Sequence, residues 1–200
     1  MKRLIALIVL VVFTAPAHGA PETYIIDSRH TSSEFGYRSF GVANRTHRFD
    51  AIRGELVLDA AARTGSADVT IDATSVNTGS ALLDAHIQTA DFFDTANHPA
   101  ITFRSTRVVL EGEAPSMTGN LTIKGITRSV TLALAGFQCL PDPISKLEAC
   151  GGRAAVTIKR SDFNMGGYAF LVSDEITLKL ALTAVKPQPV TLVASRDRVR

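Results

Sequence analysis

Apolar and polar residues alternate with a period of two along most of the chain, which is typical of strands with one buried face. In residues 176–184, Ile176, Leu178 and Leu180 occupy one face while Thr177 and Lys179 occupy the other. Residues 69–74 and 130–135 repeat the pattern, and turn residues such as Gly65, Gly112 and Gly125 separate the segments. Further strands are predicted over residues 23–27, 32–38, 52–58, 100–110, 117–123 and 152–160.

One segment departs from this pattern. Residues 80–93 have no period-two face, and Leu83, Ile87 and Ala90 share one helical side, so a short helix is predicted there. About eight antiparallel strands in one domain must protect their edges, and closure into a barrel does so. The predicted fold is therefore all-β, an antiparallel β-barrel of about eight strands with one short helix near residues 80–93.

The first 19 residues have the features of a cleavable secretory signal. Lys2 and Arg3 precede the apolar run 4–13, and Ala17-His18-Gly19 supplies small residues for cleavage. Its removal would leave 19 basic and 19 acidic residues, a balance that favours neither nucleic acid nor an anionic membrane surface. The prediction is a periplasmic protein with no membrane span, a barrel domain over residues 20–186 and a flexible tail over 187–200. The sequence leaves the oligomeric state open, a homodimer included.

Cys139 and Cys150 are the only cysteines, and they lie in a stretch rich in proline and glycine. In an exported protein, two cysteines bracketing one loop are interpreted first as a disulfide. The spacing does not match a Cys-x-x-Cys redox motif, and residues 138–152 contain no histidine for a zinc site.

Candidate chemistry outside the cysteines is weaker. His30 follows Asp27, and His86 follows Asp84, but no strained Gly-x-Ser-x-Gly turn is present to offer a nucleophile, so no catalytic residue is assigned. A metal site built from His86, Asp91, Asp94 and His98 would match no closed zinc pattern, and no metal is predicted. Four arginines between residues 38 and 53 could hold a phosphate head group bidentately or form a solvated surface; they are Arg38, Arg45, Arg48 and Arg53.

Several motifs, in order, resemble the YceI-like family of exported polyisoprenoid-binding proteins. They are Asp27-x-x-His30-Thr31, Thr74-Ser75-Val76-Asn77-Thr78, Asp84-Ala85-His86-Ile87, Ala90-Asp91-Phe92-Phe93-Asp94, Pro99-Ala100-Ile101-Thr102-Phe103, Gly119-Asn120-Leu121-Thr122-Ile123-Lys124-Gly125, and Ile158-Lys159-Arg160-Ser161-Asp162-Phe163. The resemblance runs from about residue 24 to 185. It implies a lipocalin-like barrel that holds a long isoprenoid lipid, such as a polyprenyl phosphate or a ubiquinone-like quinone, without a cofactor or catalytic activity.

The candidate ligand-binding residues combine this resemblance with the residue chemistry. The motif positions, the phenylalanines expected in the lumen and one rim arginine give Asp27, His30, Phe35, Arg38, Asp84, His86, Asp91, Phe92, Phe93, Phe103 and Phe163. Two other functions stay open: an extracytoplasmic hydrolase or isomerase that uses a His–Asp pair, and a stress-response module with a filled barrel that binds another protein. The leading hypothesis is a carrier or sequestering protein for an isoprenoid lipid.

Overall fold

The computed structural model describes residues 20–59 and 62–188. The predicted signal peptide and most of the predicted tail lie outside these residues and stay predictions. Eleven strands and one α-helix form within them. These are β1 (Glu22–Ile26), β2 (Ser32–Ser39), β3 (Ala43–Phe49), β4 (Ile52–Asp59), β5 (Thr64–Asp72), β6 (Val76–Asn77), α1 (Ala81–Ile87), β7 (Ala100–Val109), β8 (Ser116–Ile123), β9 (Ile126–Pro141), β10 (Glu148–Lys159) and β11 (Glu175–Val185).

Eight of the strands close into an antiparallel barrel, which confirms the predicted fold. They follow the order β1-β4-β5-β7-β8-β9-β10-β11, and β1 returns to pair with β11 through Ile25↔Val185 and Ile26↔Ala184. Closure satisfies both edges of the sheet and turns one face of every strand toward a shared lumen. The alternating apolar residues lie on that face, for example Leu56, Val69 and Leu121, all of which are buried.

The remaining three strands extend the sheet at one end of the barrel. β2 pairs with the first half of β11, β3 pairs with β2, and β6 pairs with β3. The β2–β3 turn, the β8–β9 turn and the segment after β10 also lie at this end, which we call the mouth end. Here, residues 160–163 form a 3₁₀ turn and residues 164–174 form a loop, called the entrance loop.

Two regions differ from the sequence-based expectations. Residues 43–49 are largely polar and are not among the predicted strands, yet they form β3. Cys139 and Cys150 were placed in a loop, but they are direct cross-strand partners on β9 and β10, which extend through the stretch. The predicted disulfide between them is present.

The helix is shorter than the predicted segment. α1 ends at Ile87, and the following residues form turns in which the Thr89 hydroxyl donates to the His86 carbonyl at 2.7 Å. The backbone N–H of Phe93 donates to the Ile87 carbonyl at 3.1 Å. These turns direct Phe92 and Phe93 back toward the barrel, where both pack against its core. No helix within the described residues is long and apolar enough to cross a bilayer.

Candidate functional site

The lumen contains a cavity of about 330 Å³ in the half of the barrel nearest the mouth end. Its wall is almost wholly apolar, and α1 and the entrance loop cover its outer end. Tyr168 of the entrance loop lines the cavity and is 40% exposed, so the cavity reaches the surface beside that loop. Apolar side chains from eight strands form the wall, including Phe35, Phe49, Ile71, Ile101, Ile123, Val130, Val156, Ile158 and Leu178. The filled barrel of the protein-interaction hypothesis is therefore not the arrangement in this structure.

A second cavity, of about 70 Å³, lies deeper in the same lumen. Val69, Phe103 and Leu180 line both cavities, so they form the constriction between them. Gly119 faces this constriction, because a Cβ built on it would lie 2.6 Å from the Phe103 ring and 2.4 Å from the Arg104 carbonyl oxygen. The absence of a side chain at Gly119 gives the Phe103 ring its space.

Two aromatic clusters flank the cavity. In one, Phe35, Phe49 and Phe93 lie with ring centroids 5.3–5.9 Å apart, in tilted or edge-on contacts. In the other, the Phe92 and Tyr168 rings stack at 5.6 Å, and His86 contacts both edge-on. Such contacts favour well-defined ring positions and supply a large apolar surface. The second cluster joins α1 to the entrance loop, so it holds the cover of the cavity in place.

Polar groups meet the cavity at one place on β2 and β3. The Tyr37 hydroxyl and His47 Nε2 lie 3.2 Å apart, and both side chains line the cavity. Arg45 is the cross-strand partner of Tyr37 and lies two residues before His47, which puts it on the same face of the sheet. Burial, and then the charge of Arg45, lowers the pKa of His47, while burial raises the pKa of the Tyr37 hydroxyl. Both groups are therefore neutral near pH 7, with one cation beside them.

A buried arginine holds the entrance loop. Arg160 is 3% exposed, and its guanidinium donates to four backbone carbonyls of the loop. Nε reaches the Ser173 oxygen at 3.0 Å, Nη2 reaches the Val172 oxygen at 3.0 Å, and Nη1 donates to Met165 and Gly167. Burial lowers the pKa of Arg160, and the charge of Asp174 opposes that shift. The loop geometry thus depends on one cation that also lines the cavity.

The structure brings five of the sequence-predicted site residues to the cavity wall: Phe35, His86, Phe92, Phe93 and Phe103. Phe163 is 1% exposed and packs in the core without lining the cavity. Asp84 accepts a hydrogen bond from the Thr78 N–H at 2.7 Å, and Asp91 is exposed.

Three other predicted positions lie away from the lumen. Asp27 pairs with Arg29 and His30 on the outside of the barrel, at 3.0 and 2.9 Å. Arg38 is exposed on the outer face of β2, because the neighbouring Tyr37 faces inward. Of Arg38, Arg45, Arg48 and Arg53, Arg45 lies on the same strand face as the cavity-lining residues of β3, His47 and Phe49. Arg48 lies on the other face and pairs with Asp50 at 2.6 Å.

The four candidate metal ligands do not converge in the described part of the chain, and the His30–Asp27 pair lies outside the lumen. Among His86, Asp91, Asp94 and His98, the close contact is His98 to Asp94 at 3.9 Å. The metal-ligating atoms that do cluster belong to Cys139, Glu148 and Cys150, and the disulfide occupies both of those sulfurs.

Sequence reasoning missed Tyr37, His47, Tyr168 and Arg160. Tyr37 continues the period-two face of Phe35, so extending that pattern by one position would have found it. His47 was missed because β3 was not predicted. Arg160 stands within the motif of residues 158–163, but its role depends on contacts with the entrance loop. Nothing local marks Tyr168, since its position depends on contacts with α1.

The family model described as the YceI-like domain matches residues 24–184. A UPF0312 protein of Pectobacterium carotovorum is 34% identical over 163 residues, which cover 80% of this chain and 83% of that protein. The crystal structure of BcnA from Burkholderia cenocepacia matches with a TM-score of 0.68 and 26% identity, covering 80% of this chain and 99% of BcnA.

A polyisoprenoid-binding domain from Saccharophagus degradans has the same fold, with a TM-score of 0.61 and 20% identity, covering 82% of this chain and 98% of that domain. The family model spans about four-fifths of the chain, and the fold matches extend over the same region. This chain belongs to the YceI-like family.

Proposed function

We propose that the protein binds the tail of a long-chain isoprenoid lipid in its lumen, as a carrier or sequestering protein. The observation that carries the proposal is the apolar cavity of about 330 Å³, reaching the surface beside Tyr168. Burial of a methylene group contributes ~0.8 kcal/mol, so a five-carbon isoprene unit offers about 4 kcal/mol before the costs of binding. Two or three units in the cavity supply enough for useful affinity.

The head group of the lipid belongs at the Tyr37–His47 pair. When neutral His47 donates its Nε2–H to the Tyr37 hydroxyl, that hydroxyl can donate its own proton to a head group, and Arg45 adds a cation on the same face. A quinone carbonyl and a polyprenyl phosphate oxygen are both acceptors that fit such donors. Arg45 favours the phosphate, because a guanidinium binds phosphate oxygens bidentately.

Binding is favoured over catalysis by the chemistry of the wall. At the cavity wall, Tyr37 and His47 form a hydroxyl–imidazole pair, His86 makes aromatic contacts, and the Arg160 guanidinium donates to backbone carbonyls of the entrance loop. The family membership supports a lipid-binding barrel, and the Saccharophagus degradans domain, a relative in fold, is named for polyisoprenoid binding. With the leader pattern of residues 1–19, the proposed location is the periplasm.

The test compares two tryptophan variants on neighbouring positions of β10. Val156 lines the cavity, whereas Thr157 points to the outer face and is exposed. Val156→Trp fills the cavity and Thr157→Trp adds the same bulk outside. Each protein is mixed with a polyprenyl phosphate or with a ubiquinone delivered from ethanol, and native mass spectrometry counts the bound lipid.

The expected result is one lipid per wild-type chain, retained by Thr157→Trp and lost by Val156→Trp. Arg45→Gln should weaken phosphate binding more than quinone binding. The proposal fails if the wild-type protein takes up neither lipid, or if Val156→Trp, with an unchanged circular dichroism spectrum, binds as well as the wild type.

A further inference from the structure

The mouth end carries large apolar side chains that point into solvent. Phe40, Val42, Leu82 and Phe170 each keep between 69% and 85% of their surface exposed. They come from three separate segments: the β2–β3 turn, α1 and the entrance loop. Exposed aromatic and aliphatic residues concentrated at one end of a protein mark an interaction surface.

These segments are held side by side. The Phe40 N–H donates to the Leu171 carbonyl at 2.7 Å, and Ser39 forms a β-bridge with Val172, so the β2–β3 turn lies against the entrance loop. The ring of Tyr168 lies 5.7 Å from that of His86, which joins the loop to α1. Leu82 precedes His86 by one helical turn and therefore lies on the same side of α1. We call Phe40, Val42, Leu82 and Phe170 the rim residues.

Backbone strain accompanies the exposed rings. Phe40 has φ 52° and Tyr168 has φ 58°, in the left-handed region that favours glycine. An aromatic residue there costs free energy, and such strain is concentrated at functional positions. Glycine or asparagine would make the β2–β3 turn at lower cost. The aromatic ring at position 40 thus lowers both solubility and turn stability, and nothing within the described fold buries it.

The charges on the same segments favour a lipid surface. The β2–β3 turn and its flanks carry the exposed Arg38 and Arg45. The acidic residues of the other two segments are Asp84 on α1 and Asp174 at the end of the entrance loop. Both are half-buried and accept hydrogen bonds, from the Thr78 N–H and from the N–H and hydroxyl of Ser161. Arginines beside protruding aromatic and aliphatic side chains suit an anionic bilayer, where the apolar groups enter the acyl boundary and the cations meet the phosphates.

We propose that the rim residues dock the mouth end onto an anionic lipid bilayer, so that the cavity opens toward the membrane. Docking in this orientation gives a lipid tail a path between bilayer and lumen that avoids water. The orientation is useful only if the protein binds lipid as proposed above. The docking surface itself is inferred from the exposure of the rim residues, the backbone strain and the charges.

The chain contains no tryptophan, so a single introduced one reports its own surroundings. We compare Phe40→Trp and Phe170→Trp with Ile144→Trp, because Ile144 is 91% exposed at the opposite end of the barrel. Each variant is titrated with vesicles of phosphatidylglycerol and phosphatidylcholine. The intact mass records whether residues 1–19 are attached, since that apolar segment would itself bind vesicles.

The expected result is a blue shift of emission and quenching by brominated lipid for Phe40→Trp and Phe170→Trp, and neither for Ile144→Trp. Pure phosphatidylcholine or the added change Arg38→Glu should weaken vesicle affinity at least threefold, while Arg107→Glu on the side of the barrel should not. In flotation, Phe40→Gly should lower the bound fraction at least fivefold and leave the thermal stability unchanged or raised.

Three results would overturn the proposal: Phe40→Trp emission that stays water-like on vesicles, equal shifts for Ile144→Trp, or a shift that depends on protein concentration without vesicles. The last would assign the rim residues to a second copy of the chain. Lipid uptake from ethanol is measured without vesicles, so its failure is separate from a failure to dock.

Discussion

Replacement of Arg160 by methionine tests whether one buried cation organises the entrance to the lumen. Arg160→Met retains an apolar stem of similar length but removes every donor to Met165, Gly167, Val172 and Ser173. A hydrogen bond from a charged donor contributes about 1.5–3 kcal/mol, and a buried acceptor left without a donor costs about 1–3 kcal/mol. Part of this cost is recovered where the exposed half of the loop turns its carbonyls to water.

We therefore expect a net loss of about 3 kcal/mol in the free energy of unfolding, equivalent to roughly 6–12 °C in melting temperature for a domain of this size. Hydrogen exchange should rise first in residues 164–174, because that loop loses its anchor before the barrel opens. Arg160→Lys should restore only part of the stability, since an ammonium group cannot span four carbonyls.

The control is Arg107→Met, which removes an exposed arginine from β7. The assays are urea denaturation and hydrogen exchange measured by mass spectrometry. The reasoning is refuted if the free energies of unfolding of Arg160→Met and Arg107→Met differ by less than about 0.5 kcal/mol and residues 164–174 exchange at the wild-type rate. In that case the aromatic contacts of Tyr168 hold the loop by themselves.

Three further predictions concern the disulfide, a histidine and a glycine. Removing the disulfide by Cys139→Ala with Cys150→Ala should lower the free energy of unfolding by about 3 kcal/mol, because the bond closes a segment with a sequence separation of 11. A melting temperature that does not change with reductant would contradict this. The pKa of His47 is lower in the folded protein than its ordinary value of 6.5. As the pH drops below 6.5, the unfolded chain takes up the proton first, so the free energy of unfolding should fall. Between pH 7.5 and 5, the free energy of unfolding measured with urea should change less with pH in His47→Gln than in the wild type. An equal pH dependence would contradict the role given to His47. Gly119→Ala should lower the free energy of unfolding by about 1–3 kcal/mol through overpacking. Gly36→Ala should not, because its Cβ would meet no atom closer than 3.5 Å. Equal melting temperatures for the two variants would contradict the prediction.

The local alternation of residues was enough to predict most of the barrel. The segments around Val69, Leu121 and Leu180 form strands whose apolar face is the lumen face, because the side-chain period of a strand is fixed at two. Phe92, Phe93 and Phe103, which line the cavity, were predicted instead from the motifs of the family resemblance. β3 was missed because the face that carries the cavity-lining His47 also carries Arg45, so polar residues occupy positions where the pattern requires apolar ones. These polar residues are suited to that face because it lies beside the mouth of the cavity.

The sequence by itself determined the fold class, the pairing of its two cysteines and the apolar character of the lumen, since each depends on local pattern or on residue count. Only the tertiary structure decided that Arg45 shares a face with the cavity-lining Tyr37 and His47 while Arg38 lies on the opposite face. It also decided that the Arg160 guanidinium donates to four backbone carbonyls and that Phe40 and Phe170 lie at one rim. Phe40 and Phe170 are more than a hundred residues apart, the face that Arg45 occupies depends on which strands are neighbours, and the Arg160 contacts depend on the path of residues 164–174. Strand register and barrel closure set such contacts, and the local pattern of any one segment does not record them.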